Sequence, residues 1–226
     1  MSLRNFRVRL IGYFCENGFL LSVMRGRDLI ISSMRSAFYG KVFMAENISI
    51  GSRSKISGIN FIRIGKNFSA GFDFWIEAIS RYNENNFNPE IVIGDNVMMI
   101  NSVHIAAIYG VKIGHGSLFG SNILVSDHSH GDGTVLGRPA LLNLASRGPI
   151  EIGRNVWIGN NVCILSGVTI GDNVSIGANS VVLKSFPAGV TIAGVPARIV
   201  KSKKEFDHQM KSMVNERELS VNIARK

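Results

Sequence analysis

Ile152-Gly153-Arg154-Asn155-Val156-Trp157-Ile158-Gly159-Asn160-Asn161-Val162-Cys163-Ile164 sets a beat of six residues that runs on through Ile170-Gly171, Ile176-Gly177 and Val182. A six-residue period fits neither an α-helix nor the simple alternation of an ordinary strand. It fits short strand segments joined by turns, each giving one aliphatic side chain to a shared interior. Three such segments close one circuit after eighteen residues, which sets Ile152 under Ile170, Ile158 under Ile176 and Ile164 under Val182. The next place above Ile170 falls on Ala188. This pattern is that of an all-β solenoid, a parallel β-helix of triangular section.

The beat returns upstream with interruptions: Ile50 and Ile56; Ile64, Ala70 and Ile76; Ile93, Met99 and Ile105; Ile113, Phe119 and Val125. Gly94-Asp95-Asn96, Gly171-Asp172-Asn173, Gly153-Arg154-Asn155 and Gly65-Lys66-Asn67 follow the aliphatic positions. Glycine and asparagine tolerate the backbone conformations that sharp corners need. Two steps are too long. Ile76 to Ile93 spans 17 residues, through the polar stretch Arg81 to Pro89, and Val125 to Ile152 spans 27. Insertions of this kind project from the stack, where binding surfaces are built.

These landmarks give a basic extension with a helical cap at 1–45, a repeat domain at 46–200 with loops near 79–90 and 127–150, and a charged tail at 201–226. Within the tail, Lys203 to Arg217 is expected to be helical. In the extension, Leu20, Leu21, Val23, Met24, Leu29, Ile30 and Met34 mix with Arg25, Arg27 and Arg35 over an expected helix from about Phe6 to Phe38. Such a helix would cover the open first circuit. Being basic and apolar together, it is also compatible with a membrane surface. Arg4, Arg7 and Arg9 precede an apolar stretch broken by Glu16 and Asn17, which is not the form of a cleavable leader. No apolar run approaches bilayer length. The expected location is cytoplasmic, with peripheral association at the inner membrane.

The formal charge is +9, from 25 Lys and Arg against 16 Asp and Glu. No aromatic-interleaved basic patch accompanies it, so an acidic small molecule suits the balance better than nucleic acid, which is not an expected partner. Cys15 and Cys163 make neither a disulfide framework nor a metal spacing.

The chemistry gathers at the second excursion, which opens Val125-Ser126-Asp127-His128-Ser129-His130-Gly131-Asp132. His128 leaves the repeat just after a core position, and a neutral imidazole can take a proton from a hydroxyl or amine near physiological pH. A loop-structural role is the alternative for His128, and more so for His130. Asp127, His128, His130 and Asp132 have no recognised zinc spacing, and no metal is expected. His104 precedes core residue Ile105 one circuit earlier and could approach the site.

These residues together resemble the hexapeptide-repeat acyltransferases, and especially the galactoside, maltose and bacterial surface-polysaccharide O-acetyltransferases. The resemblance covers roughly residues 48–200. It rests on the hexads, on Asp127-His128 before a long loop, on Asn155-Val156-Trp157-Ile158-Gly159 after it, and on Ala193-Gly194-Val195-Pro196-Ala197-Arg198 at the exit. It implies a left-handed β-helix, a homotrimer with active sites between subunits, and acetyl-CoA as co-substrate. His128 matches the family's general base, and Trp157 its aromatic residue reaching the site from the adjoining subunit. Gly159, Asn160, Gly177 and Ala178 match positions that receive the pantetheine arm; Lys184 and Arg198 match positions near the nucleotide and phosphates, with Lys201 assisting. An oxyanion donor is implied among the backbone N–H groups of 157–160 or 175–178.

The acceptor end departs from the galactoside pattern. Ala-Asn-Phe there is Ala70-Gly71-Phe72 here, with Asp73, Trp75, Glu77 and Arg81 nearby as alternative acceptor contacts. The function so implied is O-acetylation of a sugar hydroxyl during lipopolysaccharide, capsule or exopolysaccharide synthesis, on a nucleotide-linked or lipid-linked saccharide. An amino-sugar, antibiotic or other small acceptor is the alternative within the enzyme class; a non-enzymatic β-solenoid scaffold is the alternative outside it.

Overall fold

The computed structural model of the chain describes residues 19–131 and 137–202, with side chains from residue 27 onward. The expected tail helix at 203–217, the segment before residue 19, and Asp132 lie outside the described residues. Helix α1 (Phe19–Val42) precedes a series of short strands. These strands form three principal sheets of eight, six and five strands, visited in turn as the chain advances.

The hexad residues form the interior columns. Ile50, Ala70, Met99, Phe119, Ile158, Ile176 and Ile192 stack in register along the eight-stranded sheet. Ile56, Ile76, Ile105, Val125, Ile164 and Val182 do so along the six-stranded sheet. Ile64, Ile93, Ile113, Ile152 and Ile170 line the five-stranded one. All these pairings are parallel, and nearly every residue in them is buried. A second buried set stands two places before each hexad residue: Phe68, Phe74, Val97, Val103, Val156, Val162, Val168 and Val174. Ser117 and Ser180 break that set without leaving a polar group unpaired. Ser117 Oγ donates to Gly153 O and accepts from Val156 N–H; Ser180 Oγ donates to Gly177 O and accepts from Gly194 N–H.

One position of the expected stack is corrected. Phe186, not Ala188, lies over Ile170 and is buried, while Ala188 is exposed. The beat shortens at the exit, and an aromatic ring fills more of the interior over Ile170 than a methyl group would. The last two strands of the eight-stranded sheet, Val190–Ala193 and Arg198–Ser202, are antiparallel to each other. At the other end, Tyr39 and Phe43 of the α1 region pack against the core.

The corners have their own chemistry. Asn67, Asn96, Asn155, Asn161, Asn173 and Asn179 all adopt positive φ between 55 and 59°, where asparagine costs less than most residues. Their amides bond rung to rung, as in Asn161 to Asn179 at 3.0 Å. On another corner Asp172 accepts from the Arg154 backbone N–H at 2.7 Å and from its guanidinium at 2.9 and 3.1 Å. The backbone bond first, then the guanidinium, hold the Asp172 carboxyl below its ordinary value of 3.8. A carboxyl depressed on folding contributes stability above its unfolded pKa and loses it as pH falls through the lower folded value. Asp172→Asn is therefore expected to be less stable than the parent at neutral pH, with the gap closing below the ordinary carboxylate range. Urea melts across that range check this; a pH-independent gap would count against it.

Candidate active site

Three corner edges run along the stack. The corner between the six- and five-stranded sheets carries both long excursions. The first forms a hairpin of Arg81–Tyr82 and Asn85–Asn86, and the second one of Ser129–His130 and Leu144–Ala145. The two meet: Tyr82 Oη donates to Ala140 O at 3.0 Å and lies 3.1 Å from His130 Nδ1, with the two rings edge to face. This link was not legible in the sequence, because its partners are 48 residues apart and neither belongs to the repeat.

Asp127 and His128 stand at the root of the second excursion. Strand Ile123–Ser126 ends here, and the Asp127 side chain turns inward until it is fully buried. Its Oδ1 accepts from Ile108 N–H at 2.9 Å; its Oδ2 accepts from Tyr109 and Gly110 N–H at 2.8 and 2.7 Å. Three backbone donors compensate a carboxylate that would otherwise be costly to bury. Oδ1 also lies 3.0 Å from His128 Nδ1. A carboxylate only accepts, so Nδ1 carries the proton, and in the neutral ring the lone pair is on Nε2. Only 10% of the His128 side chain is exposed. Ser126 Oγ donates to His128 O at 2.8 Å, and Ser146 Oγ to Asp127 O, so both backbone carbonyls of the pair are tied down.

The six-stranded sheet beside this corner presents Lys55, Trp75, His104, Leu124, Cys163 and Val181 along one outward column. Trp75 and His104 stack at 4.0 Å with planes 12° apart, and Lys55 Nζ lies 4.8 Å from the Trp75 ring centre. His104 Nε2 is 2.9 Å from Glu77 Oε1. The sequence-expected acceptor residues Trp75, Glu77 and His104 are thus one contact cluster. Arg81 is apart from it, its Nε directed to Asn83 O within the hairpin.

The corner between the eight- and six-stranded sheets holds a different group. Asp73 is gripped there by both Arg53 nitrogens at 2.8 and 2.7 Å. That hydrogen bonding lowers the Asp73 carboxyl and raises the Arg53 guanidinium from their ordinary values. At Gly71, any Cβ would run into Ile100 O and Asn101 Oδ1. The asparagine of the galactoside pattern therefore has no room on this backbone.

Higher on the same corner, Gly159 and Gly177 N–H groups are used by the ladder, donating to Ile176 O and Ile192 O at 2.8 Å each. The next residue on each rung behaves differently. Phe72 N–H donates to Asn101 Oδ1 at 3.1 Å, and Ser121 N–H to Asn160 Oδ1 at 2.8 Å. Above Asn160 stands Ala178, which has no side-chain acceptor. Among the described residues the N–H groups of Asn160 and Ala178 donate no hydrogen bond. The sequence contains the signal, an Ala where lower rungs supply an Asn, but only the register reveals it.

Trp157 projects from the eight-stranded sheet, between Leu118 and Ser175, and is half exposed. Lys184 lies on the corner of the excursions with Nζ 5.6 Å from the Phe186 ring centre. Arg198 and Lys201 sit on the final antiparallel strand. Within one chain, then, His128 is on one corner edge, the free amides of Asn160 and Ala178 are on another, and Trp157 is on a third surface. Among the described residues, no group of three or more His, Cys, Asp and Glu could hold a metal ion.

Comparison with known proteins adds a family to this geometry. The model of the bacterial transferase hexapeptide (six repeats) matches residues 149–184. The chain is 36% identical over 156 residues to WbbJ of Escherichia coli (strain K12), whose name assigns it to O-acetyl transfer in lipopolysaccharide biosynthesis; the match covers 66% of this chain and 74% of WbbJ. It is 36% identical over 144 residues to the galactoside O-acetyltransferase of the same organism, covering 62% and 66% of the two chains. Among solved structures, AntD, an N-acyltransferase from Bacillus cereus in complex with dTDP-4-amino-4,6-dideoxyglucose and coenzyme A, superposes with a TM-score of 0.61 at 20% identity, over 80% of this chain and 96% of AntD. At that identity the likeness is one of fold. The relationship to WbbJ is closer in sequence and spans most of both proteins, and by it the chain belongs to the hexapeptide-repeat acyltransferase family.

Proposed function

We propose that the protein transfers an acetyl group from acetyl-CoA to a sugar hydroxyl in the synthesis of a bacterial surface polysaccharide. The observation that carries this reading is the Asp127–His128 pair, which holds the imidazole through Nδ1 at the root of a projecting loop and leaves Nε2 with no hydrogen-bond partner among the described residues. Nε2 takes the proton of the acceptor hydroxyl as its oxygen forms a bond to the thioester carbonyl carbon. The tetrahedral intermediate then collapses, the carbon–sulfur bond breaks, and the imidazolium returns the proton to the departing thiolate. An N–H with no partner of its own, at Asn160 or Ala178, is suited to the developing oxyanion or to a pantetheine carbonyl.

The separation of His128 from those amides within one chain supports sites assembled between copies, as in a homotrimer of left-handed β-helices. Trp157 of one copy would then face His128 of the next, with CoA lying in the groove between them. Gly159, Asn160, Gly177 and Ala178 would line the pantetheine arm, and Lys184, Arg198 and Lys201 the phosphates. The domain division is the one expected above, with the repeat domain catalytic. The WbbJ relationship supports a lipopolysaccharide-type acceptor, on a nucleotide-linked or lipid-linked saccharide.

The test is acetyl-CoA-dependent CoA release across nucleotide sugars and polysaccharide fragments, with mass spectrometry of each acceptor. One added acetyl group on a hydroxyl supports the reading; transfer only to amines, or no CoA binding by the intact protein, rejects it. The stacked Trp75–His104 pair with Glu77 offers a sugar an aromatic edge and a carboxylate acceptor. Trp75→Ala should raise the acceptor KM by about two- to tenfold, on the scale of an aromatic contact of about 0.5–1.5 kcal/mol, while leaving the KM for acetyl-CoA unchanged. Equal changes in both would remove Trp75 from the acceptor site.

A further inference from the structure

Helix α1 carries more apolar side chain than it uses to cover the body. The side it turns toward the first circuit is built mostly of small residues, and Tyr39 near its end packs against the core. Ser32, Ser33, Ser36, Ala37 and Gly40, with Leu29, line a cleft of about 590 Å³ there, together with Asn47, Ile48 and Ser49. Four large apolar side chains point away. Ile30, Ile31, Met34 and Phe38 are all exposed, Met34 at 69% and Phe38 at 60%, and Met44 just beyond the helix is exposed at 92%. Steps of three, four and seven residues put Ile30, Ile31, Met34 and Phe38 on one stripe. Arg27 and Lys41 fall on the same stripe, one at each end, and both are exposed. An apolar patch that survives on a folded surface generally meets something.

We infer that α1 lies in the plane of an anionic lipid surface, with Ile30, Ile31, Met34 and Phe38 entering the acyl boundary and Arg27 and Lys41 meeting lipid phosphates. Charge selects this occupant. Among residues 1–41 there are seven basic side chains against Glu16 and Asp28, and Asp28 is already taken by Arg27 at 3.3 Å. A second copy of the chain would bring the same positive charges against each other, whereas an anionic headgroup layer neutralises them. A copy also has another apolar surface available, the Met98, Leu118 and Trp157 column of the eight-stranded sheet. No described helix is long and apolar enough to cross a membrane, so the contact is one of lying on the surface rather than spanning it. Such docking would hold the catalytic corner within reach of a lipid-linked acceptor.

The inference stands on α1 alone and does not depend on acetyl transfer. It is tested by flotation of the purified full-length protein with phosphatidylcholine vesicles, with and without phosphatidylglycerol. The protein is expected to float with the anionic vesicles and to remain in the dense fraction with the neutral ones. Met34→Glu combined with Phe38→Glu should abolish flotation. Arg27→Gln combined with Lys41→Gln, both at exposed positions, should weaken it roughly tenfold or more while leaving the thermal melt unchanged. The inference is overturned by three results: failure of the parent protein to float, flotation of the Met34/Phe38 variant at parental level, or a fall in solution mass caused by that variant. The last would assign the stripe to a second copy of the chain.

Discussion

His128→Ala is expected to lower kcat for acetyl transfer by about 10²–10⁴-fold while leaving acetyl-CoA binding within about twofold. The size follows from the absence of a substitute in the described site. His104 is held by Glu77 and stacked on Trp75. His130 is tied to Tyr82. His115 is on another corner, its Nδ1 accepting from Asp95 N–H at 2.9 Å. Among the described histidines, only His128 has Nδ1 held by a buried carboxylate and Nε2 without a partner at the root of the long loop. CoA binding should survive because the residues proposed to line its path are Gly159, Asn160, Gly177 and Ala178, whereas His128 is proposed to meet the acceptor hydroxyl. Steady-state kinetics paired with calorimetric CoA titration separates the two effects. Retention of more than a tenth of the parental kcat would remove His128 from the role of base. Loss of CoA binding along with activity would make the histidine structural instead.

The repeat made the sheets legible before any coordinates because each sixth residue has one physical task. Ile158 must fill the space between Phe119 below and Ile176 above, and a polar residue there would be buried without a partner. That requirement leaves a mark at every rung. It weakens at the exit, where Phe186 displaced the expected Ala188, because the end of a stack has no further rung to enforce the count. The candidate site was legible in part. Asp127-His128 announced itself by position, immediately beyond a core residue and ahead of a long excursion. The burial of Asp127 did not, since its three donors come from Ile108, Tyr109 and Gly110, one circuit earlier and without side-chain signatures. The grouping of Trp75, Glu77 and His104 likewise needed the parallel register, which sets residues 29 apart on adjacent rungs as Trp75 opposite His104. Contacts between excursions, such as Tyr82 with His130, obey no period at all. The outward stripe of α1 was visible only as composition; its direction relative to the body is a matter of packing.

Asp127→Asn should cost both stability and turnover, and the two losses have separate causes. In the parent, Oδ1 serves Ile108 N–H and His128 Nδ1, while Oδ2 serves Tyr109 and Gly110. An amide can keep two of the backbone bonds by leaving its oxygen at the Oδ2 position. Its NH2 then faces the Ile108 N–H, donor against donor, in a site with no solvent access. One buried donor left unpaired costs about 1–3 kcal/mol, which in a chain of this size lowers Tm by roughly 2–12 °C. The same NH2 now donates toward His128, so Nδ1 must accept and the proton moves to Nε2. The imidazole then presents a hydrogen where the acceptor hydroxyl needs a lone pair, and kcat falls by about 10²–10⁴-fold. Asp127→Ala removes the acceptor for all three backbone donors and should destabilise by about 3–5 kcal/mol, a large part of the total for a typical domain. The pair of variants distinguishes the roles. Asp127→Asn measured well below its Tm should be folded, CoA-binding and nearly inactive. Parental turnover in that variant would mean that the carboxylate holds the Ile108–Gly110 turn in place without setting the tautomer of His128.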